Sequence, residues 1–361
     1  MSVLDDPATY SRLDPTGMRE LTAALPQRAR ESWAAGQAWE MPAEFHTPRR
    51  VVVLGVGGSV SSADVIAALA ARTSTAAIQL HRGYAAPAMD EDTLAVACSF
   101  SGDTEETVAA FQGTLGQPGM RLAIGTGGRL AELAEEARCP RFIYSWPGPP
   151  RTALADGLFP LLAILQRLGT IPVDDEELEG AFEALTSGAR EWGPEAPEAA
   201  APGPSAGPNA AKQLARRLVG RVPVIIGADF LEVAARRWTA GINENANQWA
   251  FHAALPEADH NLVAGFGAPL GARELMRVVL LDSVAVHARN RLRVGLTAGL
   301  LDDAGIKHEA LDVGGETMLE SQLRACYLGD WVSLYLALLN DVDPASIPMI
   351  DALKATLAQR E

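Results

Sequence analysis

Short apolar runs alternate with segments of helical periodicity from residue 50 onward. Five runs rich in Val, Leu, Ile and Ala, as strands buried on both faces should be, lie at residues 50–56, 77–81, 93–98, 121–124 and 141–144. Helical spacing fills the intervals at 62–71, at 104–115 and after Gly128. Strands that alternate with helices predict right-handed βαβ units and a parallel sheet covered on both faces.

A second α/β pattern begins after a segment of different composition. Residues 195–209 combine Pro, Gly, Ala and Ser without apolar periodicity, which is typical of a linker. Beyond this segment, the pattern predicts strands at 222–227, 276–281 and 308–313, and a long helix at 317–339. On pattern alone, the two halves look like a duplicated α/β unit.

Length and composition agree with two packed domains. The chain has 361 residues, of which 48% are hydrophobic and 21% charged, which is ordinary for a globular protein. Its net charge of −15 argues against a nucleic-acid binder. An anionic small substrate stays possible, because local dipoles and single basic residues decide binding at a site.

Cysteine usage and the chain start predict a cytoplasmic protein. Cys98, Cys139 and Cys326 are too few and too scattered for a disulfide framework or a metal site. The acidic N-terminus lacks the apolar stretch of a secretory signal. There is also no run of 18 apolar residues, so we expect no membrane span.

Two glycine- and hydroxyl-rich turns follow the first and third predicted strands. Residues 55–59 read Gly-Val-Gly-Gly-Ser, and residues 99–107 read Ser-Phe-Ser-Gly-Asp-Thr-Glu-Glu-Thr. Glycines let backbone N–H groups approach an anion, hydroxyls donate to phosphate oxygens, and each following helix begins with its positive dipole end. An anion site at the carboxyl edge of the sheet is therefore predicted. Simple N-capping by Ser101 or Thr104 is the alternative for the second turn.

The first turn departs from a dinucleotide-binding fingerprint. Val60 stands where that fingerprint has a third small residue, and the second strand ends in His81-Arg82 instead of an acidic ribose ligand. A nicotinamide-dependent oxidoreductase that uses Arg82 therefore fits these residues less well than a phosphate-binding protein.

The two turns resemble the phosphosugar loops of the sugar isomerase (SIS) domain. Four longer segments are more specific: 150–154 (Pro-Arg-Thr-Ala-Leu), 237–246 (Arg-Trp-Thr-Ala-Gly-Ile-Asn-Glu-Asn-Ala), 255–261 (Leu-Pro-Glu-Ala-Asp-His-Asn) and 327–337 (Tyr-Leu-Gly-Asp-Trp-Val-Ser-Leu-Tyr-Leu-Ala). In order and spacing they resemble the bifunctional phosphoglucose/phosphomannose isomerase family, from about residue 10 to Lys354.

The resemblance implies an α/β fold of two tandem SIS domains, each a five-stranded parallel sheet flanked by helices. It also implies a phosphosugar substrate, a homodimer with shared active sites, and no metal or organic cofactor. We expect neither a nucleic acid nor a membrane as a binding partner. We expect an N-terminal helical segment, a first SIS domain, a linker, and a second SIS domain with C-terminal helices, at residues 1–45, 46–194, 195–211 and 212–361.

The resemblance also implies roles for individual residues. Glu244 matches the base that moves a proton between C1 and C2, and Asn243 and Asn245 beside it can hold it by amide hydrogen bonds. His260, which would reach the neighbouring subunit's pocket, and Lys354 match the groups that assist ring opening. Arg151 matches the charge that stabilises the enediolate. The implied phosphate ligands are Gly58, Ser59, Ser99, Ser101 and Thr104.

Several positions differ from the family pattern. Asp103 replaces the usual Asn and brings negative charge to the second turn, unless it points away as a cap. Asn247 replaces a common Lys, Ser61-Ser62 stand where Ile-Gly is usual, and Ala345 replaces a Thr linked to acceptance of both C2 epimers. The expected activity is glucose 6-phosphate isomerisation to fructose 6-phosphate, with mannose 6-phosphate as a further candidate substrate. The alternative is a non-catalytic SIS-type protein that binds or senses sugar phosphates.

Overall fold

The computed structural model describes residues 2–199, 208–357 and 359, so residues 200–207 of the predicted linker lie outside the described residues. The strands are β1 (Arg50–Leu54), β2 (Ala77–His81), β3 (Thr93–Ser99), β4 (Met120–Gly125), β5 (Arg141–Ile143), β6 (Val222–Ala228), β7 (Phe251–Leu255), β8 (Met276–Asp282) and β9 (His308–Asp312). The α-helices are α1 (Pro7–Leu13), α2 (Met18–Ala23), α3 (Leu25–Ala38), α4 (Gly58–Thr73), α5 (Glu105–Thr114), α6 (Gly128–Glu136), α7 (Leu154–Arg167), α8 (Asp175–Trp192), α9 (Ala210–Leu218), α10 (Glu232–Asn245), α11 (Ala272–Leu275), α12 (Ala288–Asp303), α13 (Met318–Leu339) and α14 (Pro348–Leu357).

The chain divides into two compact units. The first unit is Ala24–Phe182, and the second unit combines Met1–Ala23 with Glu183–Glu361. Each unit contains one parallel sheet. The domain ends proposed from the sequence, at residues 45 and 194, stay predictions, because spatial compactness and domain ancestry are different properties.

The sheet of the first unit has the strand order β2-β1-β3-β4-β5, with all strands parallel. Every residue of the central strand β3 is buried, because helices cover the sheet on both faces. One side of the core is formed by Val52, Leu54, Ala97, Ala110, Phe111, Ala123, Leu130, Leu133 and Ala134. A sheet that is rigid in this way fixes where the turns after β1 and β3 lie.

The sheet of the second unit repeats this winding with one strand fewer. Its order is β7-β6-β8-β9, which corresponds to β2-β1-β3-β4 of the first sheet. The α/β class with two tandem parallel sheets is confirmed, but the described part of the second sheet has four strands and not five. After β9 the chain turns through Gly314 and Gly315, both at positive φ, and Thr317 caps α13 at once by accepting from Glu320 N–H at 3.2 Å. In the part of the chain that the structure describes, β9 is therefore followed by a helix and not by a further strand at this edge.

Helix α13 is the core helix of the second unit. Trp331 is fully buried, and Trp238 of α10 is 1% exposed, so both indoles belong to the core. The indole N–H of Trp238 donates to the carbonyl of Ala325 at 2.6 Å. Gly329 leaves the space that this indole fills, because a Cβ there would lie 2.2 Å from Trp238 Cδ1. Although α13 has 22 residues, none of the helices in the described ranges has both the length and the apolarity to cross a membrane.

Candidate active site

The turns after β1 and β3 lie side by side at the carboxyl edge of the first sheet. Leu54 pairs with Ala97 at the ends of these neighbouring parallel strands. Gly57 adopts φ +60°, which glycine tolerates, and α4 begins directly after it at Gly58. The Ser59 hydroxyl accepts a hydrogen bond from Phe100 N–H at 3.0 Å. The predicted loops therefore form one continuous cradle.

The second turn is held in shape by its own hydroxyls. Ser99 Oγ accepts from Gly102 N–H at 3.0 Å and lies 2.9 Å from Thr104 Oγ1. Ser101 Oγ accepts from Asp103 N–H at 3.1 Å while its side chain stays exposed. Ser99 is 1% exposed, so its hydroxyl stabilises the turn from its buried side. Ser101 and Thr104 lie nearer to solvent.

Neither α4 nor α5 has a side-chain cap from its N-cap residue. Gly57 has no side chain to offer, and Thr104 occupies the N-cap of α5 without capping it, because its hydroxyl contacts Ser99. The capping alternative for Thr104 is therefore wrong. The first N–H groups of an α-helix have no partner inside the helix. Two such helix starts side by side, with hydroxyls between them, offer an anion several donors and two positive dipole ends.

Asp103 points away from this cradle. Its Oδ1 accepts from the backbone N–H of Arg129 at 3.0 Å, in the first turn of α6. The carboxylate thus caps a third helix, as a negative group at a helix N-terminus should. The departure from Asn at this position is compatible with anion binding next to it.

Arg151 lies beside the first loop. It belongs to a short 3₁₀ helix, Pro150–Thr152, and is 9% exposed. The Thr152 hydroxyl accepts from Trp146 Nε1 at 2.8 Å, which fixes this segment. A Cβ on Gly58 would lie 3.5 Å from Arg151 N, so the backbone of Arg151 contacts the start of α4. The backbone of a buried arginine thus lies directly beside the first loop of the cradle.

Glu244 occupies the last turn of α10 in the second unit and is half-buried. The flanking amides fix this turn. Asn243 Oδ1 accepts from Ala250 N–H at 2.9 Å, and Asn245 Nδ2 donates to Ser333 Oγ of α13 at 2.9 Å. These two bonds position the backbone that carries Glu244, and the expected amide hydrogen bonds to the Glu244 carboxylate stay a prediction. Asn247 then ends the helix at φ +48°, a conformation that Asn adopts more readily than most residues.

A buried ion pair holds α10 on α13 about two turns before Glu244. Arg237 donates from Nε and Nη2 to the two carboxylate oxygens of Asp330, each at 2.9 Å. Burial disfavours the charge on Arg237, yet the Asp330 carboxylate outweighs this effect and raises the pKa of the guanidinium. Arg237-Trp238 and Gly329-Asp330, which belong to the two segments 237–246 and 327–337, therefore position the helix that carries Glu244.

His260 ends a 3₁₀ helix, Glu257–His260, and its side chain is exposed. Its neighbour Asp259 is fixed to α12, where it accepts from Arg293 Nη1 and Thr297 Oγ1, both at 2.8 Å. Asn261 accepts from Leu262 N–H at 2.6 Å and thereby shapes the following turn. The surrounding residues hold the backbone, which leaves the imidazole directed outward.

Lys354 lies on α14, and this helix has no buried residue. Its ammonium is exposed.

The predicted site residues fall into two groups. Arg151 lies with the predicted phosphate ligands at one edge of the first unit. Glu244, His260 and Lys354 belong to the second unit, where they occupy three separate elements.

One aromatic pair near Glu244 escaped the sequence reasoning. Trp249 is 76% exposed, and its ring contacts Phe251 in an edge-on geometry with centroids 6.1 Å apart. The hydrogen bond from Ala250 to Asn243 ties this segment to the end of α10. An exposed tryptophan two residues after Asn247 is the local signal, and on the sequence alone it resembles any loop aromatic.

Comparison with known proteins decides the family. The chain is 31% identical over 346 residues to a bifunctional phosphoglucose/phosphomannose isomerase of Caldicellulosiruptor bescii, covering 95% of this chain and 99% of that protein. The chain belongs to the bifunctional phosphoglucose/phosphomannose isomerase family. An Aquifex aeolicus protein of the same name is 32% identical over 328 residues, covering 88% of this chain and 94% of that protein.

A family model and a solved structure also match this phosphoglucose/phosphomannose isomerase family member. Residues 208–357 match the family described as the bacterial phospho-glucose isomerase C-terminal SIS domain. A Thermus thermophilus hypothetical protein of known structure aligns with a TM-score of 0.71 at 17% identity, covering 98% of this chain and 92% of that one. The matched C-terminal segment contains Glu244, His260 and Lys354.

Proposed function

We propose that the protein interconverts glucose 6-phosphate, and mannose 6-phosphate, with fructose 6-phosphate through a cis-enediol. The observation that carries this proposal is the cradle of the first unit, where two helix starts without side-chain caps and several hydroxyls lie beside the buried Arg151. Such a cradle fits a phosphate dianion, because its donors are backbone N–H groups and hydroxyls and its dipoles are positive.

The reaction needs only proton transfers once the phosphate is anchored. His260 and Lys354 exchange protons with O5 and O1 while the O5–C1 bond breaks and the ring opens. The Glu244 carboxylate takes the C2 proton, the released electron pair forms the C1–C2 double bond, and O1 is protonated. Arg151 stabilises the negative charge that develops on oxygen. O2 then gives up its proton, which balances the one delivered to O1, and as the C2–O2 double bond forms the electron pair of the C1–C2 double bond takes the proton of Glu244 onto C1. This gives the ketose, so no external oxidant or reductant is required.

The first test removes the base while keeping its shape. Glu244→Gln should lower kcat by roughly 10²–10⁴-fold and change KM little, because the amide cannot accept the carbon proton. A matched control is Glu232→Gln in the first turn of the same helix, where the carboxylate pairs with the half-buried Arg236. Turnover is followed in both directions with glucose 6-phosphate and mannose 6-phosphate.

Two outcomes would contradict this assignment. Near-normal turnover by Glu244→Gln would exclude it as the base. Tight binding of fructose 6-phosphate by the unchanged protein, without conversion of either aldose phosphate, would instead support the sugar-phosphate sensor. The relative rates on the two aldose phosphates would also measure the epimer preference of a chain that has Ala345.

We further propose a homodimer in which His260 enters the partner's site. On α12, Leu292, Leu296 and Leu300 recur at four-residue spacing on one face and are 50%, 61% and 47% exposed. Exposed apolar stripes of this kind mark interaction surfaces. Asp259, next to His260, is bonded to this same helix. A second copy that covered α12 would therefore meet the segment that carries His260.

The dimer is tested by complementation between two inactive variants. Glu244→Gln and His260→Ala are co-expressed with different tags, and the heterodimer is purified through both tags. With shared sites, one of the two active sites contains intact Glu244 and His260, so about half of the wild-type activity should return. An inactive heterodimer would place both residues in one subunit's site, and failure to co-purify would exclude the dimer.

We place the enzyme in the reducing cytoplasm. This proposal is supported by Cys98, Cys139 and Cys326, all of which are free thiols, with Cys98 and Cys326 buried.

A further inference from the structure

A cleft at the amino edge of the second sheet is lined mainly by cationic side chains. Its volume is about 660 Å³. It lies where α9 ends, where β6 and β8 begin, and just before β9. The lining residues are Arg216, Arg217, Val219, Arg221, Arg273, Glu274, Met276, Arg277, Gly305 and Lys307, and we refer to them as the cationic cleft.

This concentration of charge is opposite in sign to the protein as a whole. Six of the 30 basic residues of a chain with net charge −15 line this one cleft, and one carboxylate, Glu274, lines it with them. A cleft lined by one sign of charge between low-dielectric walls focuses the electrostatic potential and attracts the opposite ion. The cationic cleft is therefore a local exception that needs a physical reason.

Helix dipoles and ion pairs explain only part of the cluster. Arg216 and Arg217 lie in the last turn of α9, where positive charge is favourable. Arg216 pairs with Glu198. Glu309 contacts both Arg217, at 2.6 Å, and Arg277, at 2.8 Å. These three guanidinium groups thus each have a carboxylate partner.

The other three cations have no such partner among the described residues. Arg273 lies in the last turn of α11, but a helix of four residues has too few aligned peptide units for a sizeable dipole. Lys307 lies between α12 and β9. Both side chains are exposed, and neither takes part in an ion pair that the described structure contains. Arg221 donates to the carbonyl oxygen of Glu274 and not to its carboxylate. In addition, Arg277 Nε is shielded from solvent without a hydrogen-bond acceptor. Mutual repulsion of these groups is a cost that a bound anion would remove.

We propose that the cationic cleft binds a small metabolite that carries more than one phosphate group. Arg221, Arg273 and Lys307 have no carboxylate partner and lie on three different segments of the chain. One phosphate group is too small to bind all three cations, whereas two or three linked phosphate groups can contact several of them at once. The apolar side chains of Val219 and Met276 provide contact for the remainder of the molecule, as in ligand sites generally. The net negative charge of the chain disfavours a polynucleotide as the occupant.

The experiment measures binding of inorganic pyrophosphate and ATP to the full chain by calorimetry. The test variants are Arg273→Glu and Lys307→Glu, separately and together, since both side chains are exposed and their change should leave the fold intact. The matched control is Arg190→Glu, whose side chain is 72% exposed on α8 of the same unit. Isomerase kinetics of each variant report that the rest of the protein is unchanged.

The double variant should weaken pyrophosphate binding by roughly tenfold or more, and Arg190→Glu should not weaken it. Binding should also weaken as salt is raised from about 0.05 to about 0.5 M, because exposed charges are screened. Saturating fructose 6-phosphate should leave pyrophosphate bound, which distinguishes this cleft from the cradle of the first unit.

Four outcomes would overturn the proposal: no measurable binding of either probe, equal affinity for inorganic phosphate and pyrophosphate, displacement by fructose 6-phosphate, or equal binding by the double variant. Tighter binding of a single-stranded oligonucleotide than of ATP would also overturn it. None of these outcomes depends on the assignment of Glu244, so the two proposals fail separately.

Discussion

Replacement of Asp330 by Ala should strongly destabilise the second unit. Asp330 accepts two hydrogen bonds from Arg237, and the two side chains are only 21% and 7% exposed. Without Asp330, the guanidinium would stay buried without its carboxylate. Breaking a buried pair by removing one partner costs about 3–5 kcal/mol, because the remaining charge has lost its hydration and its counter-ion. The Asp330→Asn variant keeps one acceptor and should lose less.

Unfolding in urea, followed by tryptophan fluorescence, is the appropriate assay, because Trp238 and Trp331 lie in the same helix pair as the ion pair. The control is Asp341→Asn, which removes the charge that pairs with Arg12 while keeping a residue that tolerates the positive φ of this position. The two side chains of this pair are 71% and 61% exposed, so the midpoint should barely shift. Replacing both partners, Arg237→Met with Asp330→Leu, should recover much of the loss.

A loss below about 1 kcal/mol in Asp330→Ala, similar to that of the exposed control, would refute the reasoning. Normal stability combined with reduced turnover would show that the pair acts on the position of Glu244 and contributes nothing to folding.

Two further predictions concern the cap of α6 and acid stability. Asp103→Asn should leave KM for the phosphosugar nearly unchanged, because the amide oxygen can still cap α6, whereas Asp103→Ala should cost about 1 kcal/mol of stability by removing the cap; a large fall in KM for the Asn variant would show that the charge does face the substrate. Hydrogen bonding from Arg216 lowers the pKa of Glu198 below its ordinary value of 4.5, so its stabilisation is present above that pH and is lost as the pH falls further. Glu198→Gln should therefore flatten the fall in stability below about pH 4.5 relative to wild type, and parallel unfolding curves would contradict this.

Buried strands were well predicted from the sequence, and an edge strand was not. β3, with every residue buried, stands out as an unbroken run of small and apolar residues. β7 escaped prediction because Phe251 and His252 are exposed and the strand has few large apolar residues. A fifth strand in the second sheet was implied by the family resemblance alone. In the described residues the chain instead passes from β9 into α13, and the helical pattern at 317–339 already predicted this helix.

In the candidate site, the positions of the loops could be predicted from the sequence, but the contacts of their side chains could not. Loop chemistry is local, so the turns after β1 and β3 could be predicted from residue types and order. The alternative partners of hydroxyls and amides could not, because a sequence does not show that Thr104 contacts Ser99 or that Asn245 contacts Ser333. The cationic cleft shows the limit of local reading, since Arg221, Arg273 and Lys307 are far apart in the chain and meet only in the folded unit.

The uncapped starts of α4 and α5 have a consequence for how this enzyme behaves in a mixture. Donors that no side chain satisfies are hydrated when the site is vacant, and any tetrahedral oxyanion competes with water for them. Sulfate and inorganic phosphate in a buffer should accordingly act as competitive inhibitors, and apparent affinities for sugar phosphates will depend on the choice of buffer. The same N–H donors favour release of the product, because water can replace each hydrogen bond that breaks when the product phosphate leaves.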